Sequence, residues 1–254
     1  MNSYEELIKI GSDTARAGFR NEQAIADKFN NWESDSDSQK WLIIMQYDIE
    51  EIDYVKATTL HGYKSDVQVQ VTVKLKEAIS VENLQVKLVS NFRGFNQIDK
   101  RWLASYNELW NFPGKIFTCL KHFTGELPPK IGNPRDDRRM FLDEFPKKER
   151  DEVLDFFSKN KALIVNDILK GRGKFAAEWI LVAQKIDMDA RWVLKPINVA
   201  INYYSNGSVK ISPRGSIYIH KITVQRKGGD GGRPTANMLQ FKINPAELFE
   251  ITGT

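Results

Sequence analysis

Residues 66–73 alternate without a break. Val67, Val69, Val71 and Val73 fall on one side, and Asp66, Gln68, Gln70 and Thr72 on the other. A period of two marks a strand with one face in the core. Residues 84–90 repeat the pattern, with Leu84, Val86 and Leu88 one way and Gln85, Lys87 and Val89 the other. Paired in the expected register, the two strands turn their polar sets to the same side. Helical spacing dominates elsewhere. Ile25, Phe29 and Trp32 form one apolar stripe, which predicts a helix over 17–32 with Glu22 off the stripe's centre. The polar run 34–38 (SDSDS) is a plausible cap for a helix over 39–47. Trp102, Tyr106 and Leu109 or Trp110 share a stripe and predict a helix over 98–110.

Further helices are expected at 116–122, 147–160 and 161–170, the last broken by Gly171–Gly173, and one begins at Pro196 and ends near Asn206–Gly207. The stretch 175–185 fits either helix or strand. The remainder reads as β at 209–211, 216–226 and 237–243, with Asn244–Pro245 opening a short terminal helix as N-cap and first-turn proline. No internal repeat or low-complexity tract interrupts the chain. It is expected to be a single domain over 1–254. A catalytic core occupies 1–110, a mainly helical part 111–205, and a basic β-rich part 206–254.

At 254 residues, the chain is long enough to bury a large core. One cysteine, Cys119, excludes an internal disulfide and a cysteine zinc cage. No apolar run approaches the ~20 residues of a membrane helix, and the N-terminal residues lack the layout of a signal peptide. A cytoplasmic protein with no membrane partner is expected. The net charge of +4 hides a segregation: residues 31–53 carry a net −6 and residues 205–242 a net +6. A basic C-terminal region suits a polyanion, although a solvated surface has the same composition.

Three residues on the two strands carry candidate chemistry. Asp66 offers a carboxylate, Gln85 an amide oxygen and Lys87 an ammonium two residues on, on the same face as Gln85. Phosphodiester hydrolysis requires neutralised phosphate charge, a positioned water and help for the leaving oxygen. A hard cation such as Mg²⁺ takes oxygen ligands, here Asp66, Gln85 and the Val86 carbonyl. Glu22 could add an outer carboxylate. A solvated polar strand face would present the same residues, so the triplet alone is unspecific.

Two loops carry candidate nucleic-acid contacts. In the loop 91–97 (NFRGFNQ), Phe92, Arg93, Phe95, Asn96 and Gln97 combine a wedge with amides, suited to parting a base step from the minor groove. Phe95 is expected to be the exposed aromatic. The loop from Gln225 to Gln240 supplies Gln225, Arg226, Lys227, Asp230, Arg233, Thr235, Asn237 and Gln240. Arginine pairs with guanine and an acid with cytosine, which suits a G·C-rich target. The histidines His61, His122 and His220 show no ligand spacing, and no G-x-S-x-G elbow is present.

GYKSDVQVQV, NLQVKLVSNFRGFNQIDKRWLA, LKHFTGELPP, RGKFAAEWILVAQK and TVQRKGGDGGRPTANMLQFKINPAELF together resemble a small type II restriction endonuclease family that recognises GCGC. The resemblance runs from near the N-terminus to Phe249 and keeps the same order. It implies an α/β (α+β) fold with a PD-(D/E)XK core, a central mixed sheet flanked by helices and a basic C-terminal β-rich region that reads DNA. It implies Mg²⁺-dependent hydrolysis of both strands of double-stranded DNA within GCGC, leaving a 5′-phosphate and a short 5′ overhang, with Mn²⁺ as an alternative ion. The family's SD…Q-x-K motif falls on Ser65, Asp66, Gln85 and Lys87. A glutamine is expected at position 85 in this family. The RGFNQ loop falls on Arg93–Gln97 and the QRKGGD…R loop on Gln225–Arg233. A cognate DNA methyltransferase is implied in the cell, and the chain would act as a monomer or homodimer. The competing readings are a catalytically inactive sequence-specific DNA-binding protein with a nuclease fold, and a nuclease for a junction or RNA.

Overall fold

A computed structural model describes residues 3–60, 69–76, 78–91, 93–186, 189–229 and 233–251. Ser65, Asp66, Phe92 and Asp230 lie outside the described residues. The chain divides into two compact units that interleave along the sequence. One comprises Gly11–Asn96, Leu169–Ala200 and Asn244–Thr254, the other Met1–Ile10, Gln97–Ile168 and Ile201–Ile243. No described helix is long and apolar enough to cross a membrane.

The elements run α1 (Ser3–Asn30), α2 (Ser36–Ile44), β1 (Ile52–Thr59), β2 (Val69–Leu75), β3 (Ile79–Val89), β4 (Asn96–Arg101), α3 (Leu103–Trp110), α4 (Gly114–Thr124), α5 (Lys147–Lys159) and α6 (Lys161–Leu169). They continue with β5 (Trp179–Ile186), β6 (Asp189–Pro196), α7 (Ile197–Ser205), β7 (Val209–Ile211), β8 (Ile217–Ile219), β9 (Ile222–Arg226), β10 (Leu239–Ile243) and a 3₁₀ turn over Pro245–Glu250.

The first unit is built on a five-stranded sheet in the order β1-β2-β3-β5-β6. Only β3 and β5 pair in parallel, and the other neighbours are antiparallel. The strict valine alternation explains one face. Val69, Val71 and Val73 are fully buried, together with Leu84, Val86, Leu181 and Leu194, against Ile25, Ala26 and Phe29 of α1 and Trp41 and Leu42 of α2. Both helices therefore cover the same side of the sheet. Asp35 caps α2, its carboxylate accepting from the backbone N–H of Asp37 and Ser38, and Lys28 bridges Asp35 and Asp37 at 2.9 Å each. Asn30 exchanges two hydrogen bonds with the backbone of Ala57, joining the end of α1 to β1.

The second unit holds a sheet in the order β4-β10-β9-β8-β7. Tyr106 and Trp110 of α3 stack 4.6 Å apart and meet Phe241 of β10 edge-on. The Trp110 indole N–H donates to the buried Asp167 at 2.8 Å.

Several expectations change: the helix expected over 17–32 runs over Ser3–Asn30, and the β stretch expected over 216–226 splits into β8 and β9. The helix expected over 98–110 begins at Leu103, because Asn96–Arg101 is spent as the edge strand β4. The ambiguous stretch 175–185 resolves as strand from Trp179 onward, β5, which lies between β3 and β6 and is buried on both faces. The terminal helix is a 3₁₀ turn, though Asn244 caps it as expected, accepting from the Ala246 N–H at 3.2 Å.

Candidate active site and nucleic-acid surface

Strand β3 enters as a sheet margin and ends inside the protein. Ile79 and Val81 are exposed, whereas Leu84 through Lys87 are all buried. The registers assign each residue to a face. Gln70 stands opposite Asn83, Gln85 opposite Ile180 and Lys87 opposite Val182. Neighbours across a sheet share a face, and the side chains alternate along each strand. Asn83, Gln85 and Lys87 therefore lie on the side opposite the valine cluster and opposite α1 and α2. Asn83 is held by four bonds: its amide nitrogen donates to the carbonyls of Lys174 and Ala176, its oxygen accepts from Gln70, and its backbone N–H donates to Glu178.

Gln85 differs from that neighbour. It is 0% exposed, and neither its amide oxygen nor its amide nitrogen has a hydrogen-bond partner among the described residues. A buried amide atom without a partner costs about 1–3 kcal/mol, so both polar atoms of Gln85 are held at a cost that a bound ligand would relieve. Lys87, two residues on, is 8% exposed. A hard cation accepts an amide oxygen as ligand, so the donor set on β3 fits such an ion. No cluster of three or more His, Cys, Asp or Glu stands together among the described residues.

Glu22 is half-buried on α1. That helix packs its Ile25–Phe29 stripe on the valine face, the side of the sheet opposite Gln85 and Lys87. Its neighbour Asn21 is buried with neither amide atom hydrogen-bonded among the described residues. Sequence periodicity does not single out Asn21, because an asparagine within an apolar stripe reads as a packing position.

The loop after β3 is pinned at its root and open at its tip. Asn96 donates to the Leu88 carbonyl at 2.8 Å, and Asn91 receives the backbone N–H groups of Arg93 through its side chain and of Gly94 through its carbonyl. Phe95 is 52% exposed, and Arg93 and Gln97 are exposed beside it. An aromatic ring displayed on a fixed loop is unusual for a packed surface.

The β9–β10 hairpin carries the second set. Gln225 pairs in register with Gln240, and Leu239 with Arg226. Beyond the ladder, Lys227 N–H donates to Met238 and Gly228 N–H to Ala236. Gly228 and Gly229 both take positive φ, +65° and +61°, a conformation that favours glycine. The Asn237 amide is spent within the protein: its oxygen accepts from Arg226 Nε and Nη2, and its nitrogen donates to the Gly125 carbonyl at 2.8 Å. Gln240 is buried, donating to the Lys227 carbonyl. Arg233 is exposed, and Thr235 is half-buried in the 3₁₀ turn Pro234–Asn237.

Arginines that the sequence reading passed over stand near Arg226. Burial, with Arg138 close by, holds the Arg226 guanidinium below its usual pKa. Burial also lowers Arg139, which lies 3.9 Å over the Phe141 ring and near Arg226, Arg138 and Arg135. The run RDDRR at 135–139 was the available signal, but its mixed charge reads as a solvated loop. On β4, burial pushes the Asp99 carboxyl up against the opposing pull of Arg101, which binds it through Nε and Nη2.

The sequence model of the R.HinP1I restriction endonuclease family matches residues 45–249. The chain belongs to the R.HinP1I restriction endonuclease family. It is a type II restriction endonuclease, a site-specific deoxyribonuclease, of a kind that generally uses divalent metal ions. The crystal structure of the restriction endonuclease MspI in complex with its cognate DNA has the same fold, with a TM-score of 0.61 at 13% identity, covering 94% of this chain and 96% of that one. The fold is the PD-(D/E)XK fold. No curated protein sequence matches. In this R.HinP1I family member, the matched region contains β2, β3, the Phe95 loop and the β9–β10 hairpin.

Proposed function

We propose that this enzyme cleaves both strands of double-stranded DNA at GCGC in a Mg²⁺-dependent reaction that leaves 5′-phosphate ends. The observation that carries the catalytic part is Gln85: a fully buried amide with both polar atoms unpaired among the described residues, on the face it shares with Lys87. Asp66, Gln85 and the Val86 carbonyl would hold the ion. When bound, it would supply positive charge to the scissile phosphate and acidify a water. Lys87 holds the attacking water against the phosphorus, and its low exposure keeps that ammonium oriented toward the reaction rather than toward bulk solvent. Ser65 precedes the Asp66 carboxylate and helps to orient it, and Glu22 enters no step.

Phe95 enters a base step from the minor groove, and Arg93, Asn96 and Gln97 contact DNA around it. The hairpin reads the major groove through Gln225, Arg226, Lys227, Asp230 and Arg233, with arginine to guanine and acid to cytosine. Thr235, Asn237 and Gln240 support that surface. MspI was crystallised with its cognate DNA, and a likeness to it extends the same kind of partner to this chain. A separate DNA methyltransferase would protect the host, and the enzyme would act as a monomer or homodimer in the cytoplasm.

The test is a set of duplex oligonucleotides carrying GCGC or a single-base variant of it, incubated with Mg²⁺ or with EDTA. The proposal expects cutting of the GCGC duplex alone, with Mg²⁺ alone, and none by Lys87→Ala or Asp66→Ala, both still binding DNA. Retained cutting by either purified variant would sink the active-site assignment. A shifted but intact GCGC duplex with the parent enzyme would favour an inactive DNA-binding protein instead.

A further inference from the structure

Strand β6 places a second lysine on the face that carries Gln85 and Lys87. Gln85 stands opposite Ile180 on β5, and Ile180 opposite Lys195 on β6. The three residues form one row across three strands, and their side chains rise from the same face. Two strand spacings put the Gln85 and Lys195 backbones about 10 Å apart. Lys87 begins the next row, with Val182 and Val193, so two lysines flank the unpaired glutamine.

Lys195 is unusual in its own right. It is 9% exposed, and no hydrogen bond or ion pair joins it to any described residue. Its ammonium is not among the enclosed unpaired atoms, so the stem is covered and the charged tip keeps the remaining exposure. Lysines are seldom so covered, and a stem buried along the sheet holds the charged tip at the surface of this face, where an anion can reach it. The described acid closest to Lys195 in register, Glu178, is taken by the Asn83 backbone N–H. Other polar groups on the face include Gln184, Arg191, Asn83 and Gln70. Arg191 donates to Gln184 and stacks 4.4 Å over Phe249, so it adds charge of the same sign.

We infer that Lys195 is a second phosphate-binding lysine of the active-site face, contacting a backbone phosphate of the bound DNA beside the one held at Gln85 and Lys87. The inference rests on the reading of that face as the catalytic one. Its covered stem limits the ammonium to few positions, so the charge is placed before DNA arrives. No described residue serves as its counter-ion, and the substrate's own phosphate would supply one.

The experiment measures binding of a GCGC duplex over a salt series, with Ca²⁺ in place of Mg²⁺ to block cutting, for the parent, Lys195→Met, Lys195→Arg and Lys87→Ala. Loss of one phosphate contact lowers the slope of log Kd against log salt by about 0.9. Between 50 and 200 mM salt, the Kd ratio of Lys195→Met to the parent should therefore shrink about 3.5-fold. Lys195→Arg should restore the parent slope, and the melting temperature of Lys195→Met without DNA should not fall, because no partner is stranded. An unchanged slope, or a lowered slope that Lys195→Arg does not restore, would overturn the inference. A melting temperature several degrees lower would also overturn it, because the lysine would then be structural. The catalytic reading fails separately: if Lys87→Ala cuts with Mg²⁺ like the parent, the assignment of Lys87 falls whatever Lys195 does.

Discussion

Replacing Gln85 with methionine separates stability from activity in a way that few active-site changes do. The two side chains have similar length and volume, so the buried space stays filled. The amide leaves, and with it two enclosed polar atoms that have no partner among the described residues. Each such atom costs about 1–3 kcal/mol. Allowing for relaxation, the metal-free variant should gain about 1–3 kcal/mol. In a chain of this size, each kcal/mol moves the midpoint by about 2–4 °C, so a thermal melt in EDTA should rise by about 2–12 °C. Adding Mg²⁺ should raise the parent's midpoint, because a ligand that binds only the folded state stabilises it by mass action. The variant should respond less and should not cut DNA. A melting temperature several degrees lower in EDTA would show that the amide is satisfied in the folded protein. Mg²⁺-dependent cutting at the parent rate would show that it holds no ion.

Phe95→Ala removes a side chain that is already half exposed, so stability should change by no more than ~0.5 kcal/mol while GCGC cleavage drops sharply. An unchanged rate would mean that no wedge acts there. Asn237→Ala strands the Gly125 carbonyl and frees Arg226, and should cost about 1–3 kcal/mol in a chemical melt; a neutral result would show that the hairpin does not depend on this amide. Burial, reinforced by Glu149, pushes the Cys119 thiol up to about 11 from the usual 9.0. At pH 8, only about one thiol in a thousand is then thiolate, so iodoacetamide should label the native protein slowly and the urea-unfolded protein fast. The raised value favours the protonated fold, so this contribution to stability is present below pH 9.0 and is lost as pH rises toward about 11. Equal labelling rates would refute it.

The strand pair was legible because its valines repeat every second residue and one face is the core. Nothing weaker would have predicted that Val69, Val71 and Val73 bury together with Leu84 and Val86. The exposure of Phe95 was legible too, from its place between Gly94 and a run of amides. The start of α3 was not. Trp102, Tyr106 and Trp110 carry a helical stripe, but the residues before Trp102 fit either state, and the neighbouring strand β10, far along the chain, decides for β4. Strand β1 was hidden by its acidic flank, and β6 by its alternation of charged and apolar residues beside Pro196. What sequence alone could not separate is a polar residue on a solvated face from one buried without a partner. Gln85, Asn83 and Lys195 look alike as letters. Only the register and burial show that Asn83 is bonded fourfold while Gln85 has no partner among the described residues.

The most direct test of the central claim is a Mg²⁺ digest of a sequenced plasmid with every fragment end mapped and its phosphate located. The account predicts discrete fragments whose ends all fall within GCGC and carry a 5′-phosphate. Intact plasmid, ends scattered over other sequences, or cutting that persists in EDTA would contradict it.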